Sequence, residues 1–363
     1  MQERWIIWGT GLVGQELYEF LLEKKCVDKV SAVVDSDKNK WGKKWNGFEV
    51  QDPDIIRKGT YSKIIIAVGA WRELYKEILN KYHISPGQID NYMFMQRNAM
   101  LTFYQHEEFK TEELKKQIQY ICTHPLGAFN DDFVDKYIGL EIDVYRDEKI
   151  GMFYVLHFGK RMYFPRKFTR TGVIKYYRQI LMEQDTSSPH RYQDDTFSVK
   201  EGEVILDAGA AEGNFSLEVV DKVKSIYLVE ADGAWIEALT YTFEPYKDKV
   251  HIIPKYLTNN CNEGCITIDE LAKDEEFTSI KMDIEGAEVS ALAGGEKTLH
   301  SQHLKAYVCS YHRERDFDDI ANMMRGYGYN ISTTDGYMVF LSYINLKQIQ
   351  LPKFVKGVIR ASK

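Results

Sequence analysis

Twice in 363 residues a short, wholly apolar run leads at once into a glycine-rich turn and a helical pattern. Trp5-Ile6-Ile7-Trp8 runs into Gly9-Thr10-Gly11-Leu12-Val13-Gly14, and Val204-Ile205-Leu206 runs into Asp207-Ala208-Gly209-Ala210-Ala211-Glu212-Gly213-Asn214. A strand that is apolar along its whole length is covered on both faces, and a chain that returns through a helix lays the next strand parallel to the first. Each unit therefore predicts a parallel sheet between helices. The alternation continues after both turns, through Val30–Val34 and Ile64–Val68 in the first half and through Ser225–Val229, Val250–Ile253, Ser279–Met282 and Ala306–Cys309 in the second.

A chain of this length suits two cores. The expected fold class is α/β with two Rossmann-like domains. Residues 1–92 form the first. Residues 93–200 connect, with a helix over Glu112–Tyr120 and short antiparallel strands within Ile142–Phe164; they are rich in aromatics and lack the Pro/Gly/Ser bias of a linker. Residues 201–345 form the second domain, and 346–363 a tail. Asp335-Gly336, between Tyr329–Ser332 and Tyr337–Leu341, predicts an antiparallel hairpin that closes the second sheet. Parallel strands closed in this way resemble the class I methyltransferase fold.

The net charge of −7 comes with no Lys/Arg-rich block, which sets nucleic acid aside as a partner. No run of about 18 apolar residues exists for a membrane span, and the N-terminus enters a strand pattern directly, so a cytoplasmic protein is expected. The five cysteines are an odd number without zinc-site spacing and predict neither disulfide framework nor metal centre. A homo-oligomer is compatible with all of this.

The two turns differ in charge. The first holds no acid, so backbone amides around Gly9, Gly11 and Gly14 can face a nucleotide or dinucleotide pyrophosphate, with Asp35 about twenty residues on at the place of a ribose-binding carboxylate. The other reading is that these glycines serve tight turning and helix packing. The second turn carries Asp207 and Glu212, which repel a diphosphate. S-adenosylmethionine presents an ammonium and a sulfonium beside one carboxylate, so Asp207 can favour the cationic part while amides around Gly209, Ala210 and Gly213 meet the carboxylate. Glu230, followed by Ala231 at the next strand tip, can take both ribose hydroxyls.

Ile280-Lys281-Met282-Asp283-Ile284-Glu285-Gly286-Ala287-Glu288 resembles the FkbM-type methyltransferases. The likeness extends through Asp207–Gly213 with Phe215-Ser216, Thr267–Leu271, and Tyr311-His312 with Asp316, across residues 185–341. Val229-Glu230-Ala231-Asp232 departs from the family's Phe-Glu-Pro but keeps the acid. The resemblance implies S-adenosylmethionine-dependent O-methylation of a hydroxyl on a sugar, glycan or related small molecule. The first domain resembles small domains on enzymes of polysaccharide and sugar-nucleotide biosynthesis, which points to carbohydrate as well.

A neutral hydroxyl needs a base or a metal to remove its proton. Asp283, at the end of a strand beside the donor strand, is the first candidate, followed by His312 after the fifth strand and His190 on the preceding polar loop. A metal-independent base is expected; the alternative is Mg²⁺ on Asp283 and Glu285, which EDTA treatment tests. Glu288 reads as an early helix residue favoured by the macrodipole. Two other functions fit parts of the chain: a non-enzymatic binding protein on a methyltransferase fold, and an NAD(P)-dependent oxidoreductase using Gly9–Gly14.

Overall fold

A computed structural model describes residues 3–105, 111–339, 346 and 351–363. The chain divides into two compact units, residues 1–139 with 339–354, and residues 140–338 with 355–363. Among the described residues no helix is long and apolar enough to cross a membrane.

The first unit comprises β1 (Trp5–Trp8), α1 (Leu12–Glu23), β2 (Val30–Val34), β3 (Lys44–Trp45), β4 (Phe48–Gln51), β5 (Lys63–Ile66), α2 (Trp71–Tyr82), β6 (Ile89–Asn91), α3 (Phe94–Gln105) and α4 (Glu112–Thr123). Its sheet runs β3-β4-β2-β1-β5-β6, parallel except for β3 against β4. All of β1 is buried, as its unbroken apolar run requires. Strand β6 is short and polar in sequence; Asp90 is buried there between Arg97 at 3.0 Å and Lys63 at 3.5 Å.

In the second unit β7 (Tyr145–Arg146), β8 (Phe153–His157) and β9 (Lys160–Tyr163) form a small antiparallel sheet, followed by α5 (Arg170–Glu183). Then come β10 (Val204–Ala208), α6 (Asn214–Val219), β11 (Ser225–Val229), α7 (Gly233–Thr242) and β12 (Val250–Ile253). A minor pair, β13 (Tyr256–Leu257) and β14 (Cys265–Ile266), precedes α8 (Ile268–Leu271). The unit continues with β15 (Ser279–Met282), α9 (Glu288–Ala293), α10 (Glu296–Ser301), β16 (Lys305–Cys309), α11 (Asp316–Gly326), β17 (Asn330–Thr333) and, at its end, β20 (Val358–Ser362), while β18 (Met338–Val339) and β19 (Phe354–Val355) fall at the two points where the chain crosses from one unit to the other.

The main sheet has the order β12-β11-β10-β15-β16-β20-β17. Successive residues of its strands feed opposite cores. Ile205 and Tyr307 pack with Phe215 and Leu217 on one side, whereas Leu206, Ile280 and Val308 pack with Leu292, Leu299 and Ile320 on the other. Each fully buried aliphatic chain contributes about 1.5–3 kcal/mol, so the period-two alternation fixes the register. The antiparallel closure is present, but β17 pairs with β20 and not with the segment after Asp335-Gly336. Met338–Val339 pairs with Phe354–Val355 instead, and Phe340 and Leu341 of the expected hairpin lie outside the described residues. The turn chemistry of Asp335-Gly336 is local; the pairing is decided by which strand completes the buried sheet.

Chain order reverses between β10 and β15: β11 lies on one side of β10, β15 on the other. In open α/β sheets the carboxyl ends of the strands at such a reversal border a ligand crevice.

Candidate functional site

At the end of β10 the chain turns sharply. Gly209 has φ +70°, and a Cβ there would lie 1.9 Å from the carbonyl oxygen of Asp283, so only glycine lets the turn touch the end of β15. The turn is largely closed on itself: the amides of Gly209 and Ala210 reach Val229 O, and that of Gly213 reaches Ala210 O. Those amides are already paired, so a donor carboxylate has less backbone to meet than the turn's sequence suggests.

Asp207 is buried, and its charge is answered inside the fold. Ser216 donates to Oδ2 at 2.6 Å, and Lys281 Nζ lies 3.1 Å from Oδ1 while donating to Gly209 O at 2.8 Å. Burial disfavours the Lys281 ammonium, but the charges of Asp207 and Asp283 outweigh it and hold the lysine protonated. Asp207 therefore anchors the turn to β15, which is a different task from attracting a cation.

Two other acids remain at the crevice. Glu230 accepts from Ala211 N at 3.0 Å and from Ala231 N and Asp232 N at 2.8 Å each, which ties the β10 turn to the tip of β11. Glu212 is buried and accepts from the Tyr176 hydroxyl at 2.9 Å. Burial pushes its carboxyl up to about 7 against the pull of its own backbone N–H and of Tyr176. Beside it Phe168, Tyr176 and Trp235 pack ring to ring, with centroids 5.5–5.8 Å apart.

Across the crevice, the three proton-handling candidates come together although they lie far apart in sequence. Asp283 follows β15, His312 follows β16, and His190 sits on the loop before β10. His312 Nε2 lies 3.3 Å from Asp283 Oδ1, and His190 Nε2 lies 3.6 Å from Oδ2, which also accepts from the Tyr192 hydroxyl at 2.9 Å. His190 Nε2 meets the Tyr311 hydroxyl at 2.9 Å. Burial works against the Asp283 carboxylate, but His190, Lys281 and His312 overcome it and hold its pKa well below the ordinary range. Burial likewise opposes the charged form of each histidine. Asp283 and Glu183 reverse this for His190, and Glu288, Asp283 and Glu285 reverse it for His312, so both pKa values rise.

Glu288 departs from its expected place on the helix surface. Its side chain is wholly buried; Oε1 accepts from Ile284 N at 2.9 Å and lies 3.1 Å from His312 Nδ1. Glu285, offered with Asp283 for a metal, is 88% exposed and reaches His312 Nε2 only at 3.8 Å. It has φ +55°, a left-handed conformation that costs a residue with a Cβ roughly 1–3 kcal/mol. One ligand atom each of Asp283, Glu288 and His312 lie within 4.8 Å of one another.

Residues 208–331 match the family model for the Methyltransferase FkbM domain. That stretch of the second unit is similar to the FkbM methyltransferases. Residues 1–90 match a different family, described as C2185-like, N-terminal. Among solved structures, the chain is similar to a methyltransferase FkbM from Methylobacillus flagellatus KT, at 16% identity and a TM-score of 0.53, over 99% of this chain and 90% of that one. A precorrin-6y C5,15-methyltransferase from Geobacter metallireducens GS-15 shares 11% identity over 46% of this chain and 84% of its own, with a TM-score of 0.33. At these identities the likeness concerns the fold. No curated protein matches the chain.

Lys281 and Tyr311, quoted in the sequence only as parts of the family-like runs, join the site, as do Tyr192, Tyr176 and Glu183. Lys281 had a signal: a lysine inside an apolar strand must find a buried partner. Tyr192 and Tyr176 had none, since contacts such as Tyr192 to Asp283 span 91 positions.

The turn of the first unit is more completely sealed. Asp35 Oδ2 accepts from Thr10 N at 2.9 Å, from the Thr10 hydroxyl at 2.5 Å and from Lys40 Nζ at 2.8 Å, while Oδ1 accepts from Asp37 N at 2.9 Å. A Cβ on Gly14 would lie 2.2 Å from Gly9 O, so helix packing already requires that glycine.

Proposed function

We propose that the second unit is an S-adenosylmethionine-dependent O-methyltransferase acting on a hydroxyl of a sugar, glycan or related small molecule. The observation that carries this is the placing of Glu230 and Glu212 on one side of the β10/β15 crevice and of Asp283 with two histidines on the other, in a domain matching the FkbM family. The acidic rim fits a cationic donor and disfavours a diphosphate. In this reading Glu230 takes the ribose hydroxyls. Glu212 takes the role expected of Asp207, receiving the methionine ammonium, because Asp207 is committed to Lys281. Gly209 lets the two halves of the crevice approach.

Bound there, S-adenosylmethionine supplies an electrophilic methyl group on sulfur and leaves as S-adenosylhomocysteine. The domain's own residues hold the acceptor oxygen in line behind that methyl and take its proton. Asp283 orients the centre and stays ionised, while His190 and His312 stand on either oxygen to receive the proton. The tyrosine hydroxyls of Tyr192 and Tyr311 narrow the space and offer hydrogen bonds to a polyhydroxylated acceptor. The test is mass spectrometry of sugars, sugar nucleotides, glycans and other hydroxylated metabolites incubated with labelled donor and full-length protein. A labelled methyl on an acceptor oxygen supports the reading; donor that fails to bind in calorimetry ends it.

A further inference from the structure

We infer that Asp283, Glu288 and His312 form a binding site for one divalent cation. The first reason is charge. His312 has three carboxylates within 3.8 Å: Glu288 at 3.1 Å from Nδ1, and Asp283 at 3.3 Å and Glu285 at 3.8 Å from Nε2. His190 lies beside the other oxygen of Asp283, at 3.6 Å. Lys281 is taken up by Asp207. A divalent ion on this cluster adds positive charge where the buried Glu288 and the largely buried Asp283 converge, as carboxylates in a nearly dry site require.

The second reason is an orphaned oxygen. Glu288 is fully buried, and its Oε2 has no hydrogen-bond partner among the described residues. A buried carboxylate oxygen left this way is costly unless something ligates it. The third is spacing: ligand atoms of the three residues lie within 4.8 Å of one another, against roughly 4.2 Å for opposed ligands on an ion with bonds near 2.1 Å. A turn of the His312 ring that presents one nitrogen to both carboxylates, with a small inward movement of the side chains, closes the difference. Two carboxylates and one imidazole make an oxygen-rich set that suits Mg²⁺ or Mn²⁺ better than a thiolate-seeking metal.

The site is distinct from the pair Asp283 and Glu285, because Glu285 stands exposed at its rim. Its purpose rests on the methyltransferase reading: the ion would lower the pKa of an acceptor hydroxyl and hold its oxygen. His190, on the far oxygen of Asp283, would then take the proton.

The test titrates EDTA-treated, full-length protein with Mn²⁺ and follows the free-ion signal by electron paramagnetic resonance, with donor binding measured on the same samples by calorimetry. One saturable Mn²⁺ per chain is expected, and both Glu288→Gln and His312→Ala weaken it by about tenfold or more. Thermal melts confirm that the variants are folded, and the wild-type stoichiometry stands whether or not they are. Donor binding without saturable Mn²⁺ in the wild type overturns the cation site alone. Unchanged Mn²⁺ affinity in both folded variants also overturns it. Mn²⁺ binding without donor binding keeps the site and overturns the methyltransferase reading.

Discussion

At the tip of β2, Asp35 takes the amide of Thr10; at the tip of β11, Glu230 takes the amide of Ala211. The two strand–turn–helix units thus share one device, in which the acid of the second strand pulls in the turn after the first. Around that device they part. Asp35 also holds a hydroxyl and the ammonium of Lys40, whereas Glu230 is held by three backbone amides among the described residues. Burial raises the Asp35 carboxyl, but hydrogen bonds of all three kinds, that of Lys40 foremost, overcome it and hold the group below its usual pKa. The strand beyond the turn differs too. After β5 the first unit continues Ala67-Val68-Gly69, while after β15 the second continues Asp283-Ile284-Glu285, with His190 and His312 against the aspartate. A glycine turn is a way to pack a helix against a strand; what it can bind or catalyse depends on charges brought by other segments.

The contrast can be broken most sharply at Asp283. Asp283→Ala should lower turnover by at least about 10²-fold, in the range of general acid–base contributions, while leaving most donor binding; wild-type turnover would remove the second unit's claim to chemistry. Next is the buried pair that the first turn lacks. Lys281→Ala leaves Asp207 uncompensated and should cost about 3–5 kcal/mol, read from urea unfolding, with Lys281→Met no better because the charge remains unpaired. A loss near zero would mean that Asp207 is not the anchor described.

A smaller effect concerns pH. Glu212 has its folded pKa raised by burial to about 7 from an ordinary 4.5, so its contribution is full below the unfolded value and disappears as pH rises through about 7. Unfolding free energy should therefore fall between pH 5 and 8 by a share on the order of 3 kcal/mol. The raised histidines slope the same way, so the variant isolates the share: Glu212→Gln should flatten the profile, and an unchanged slope would assign it elsewhere. Glu230→Ala should weaken donor binding by about 1.5–3 kcal/mol, the worth of hydrogen bonds to a charged group, measured by calorimetry. The smallest effect on methyl transfer is expected from Asp35→Asn, which loosens the first turn and leaves turnover as it was. A matching fall in turnover would show the two units to be coupled.

The parallel strands were legible because wholly apolar four- and five-residue runs such as Trp5–Trp8 and Ile64–Val68 have few alternatives. The polar strand β6 was not, since Asp90 is stabilised there by Arg97 and Lys63, contacts that leave no local pattern. The closing strand was misplaced for a related reason. Asp335-Gly336 advertises a turn, whereas the partner of β17 arrives at Val358–Ser362.

Local order along the chain was enough to determine the two glycine turns, the acids at the strand tips and the run from Ile280 to Glu288, because turns and strand ends are written in neighbouring residues. Only the tertiary structure decided which of those acids are spent and which face the crevice. Asp207 finds Lys281 across two strands, Glu288 turns inward to His312, and Glu285 turns out to solvent. The physical reason is that a carboxylate's role depends on its burial and on the charge opposite it, and both are supplied by segments distant in sequence.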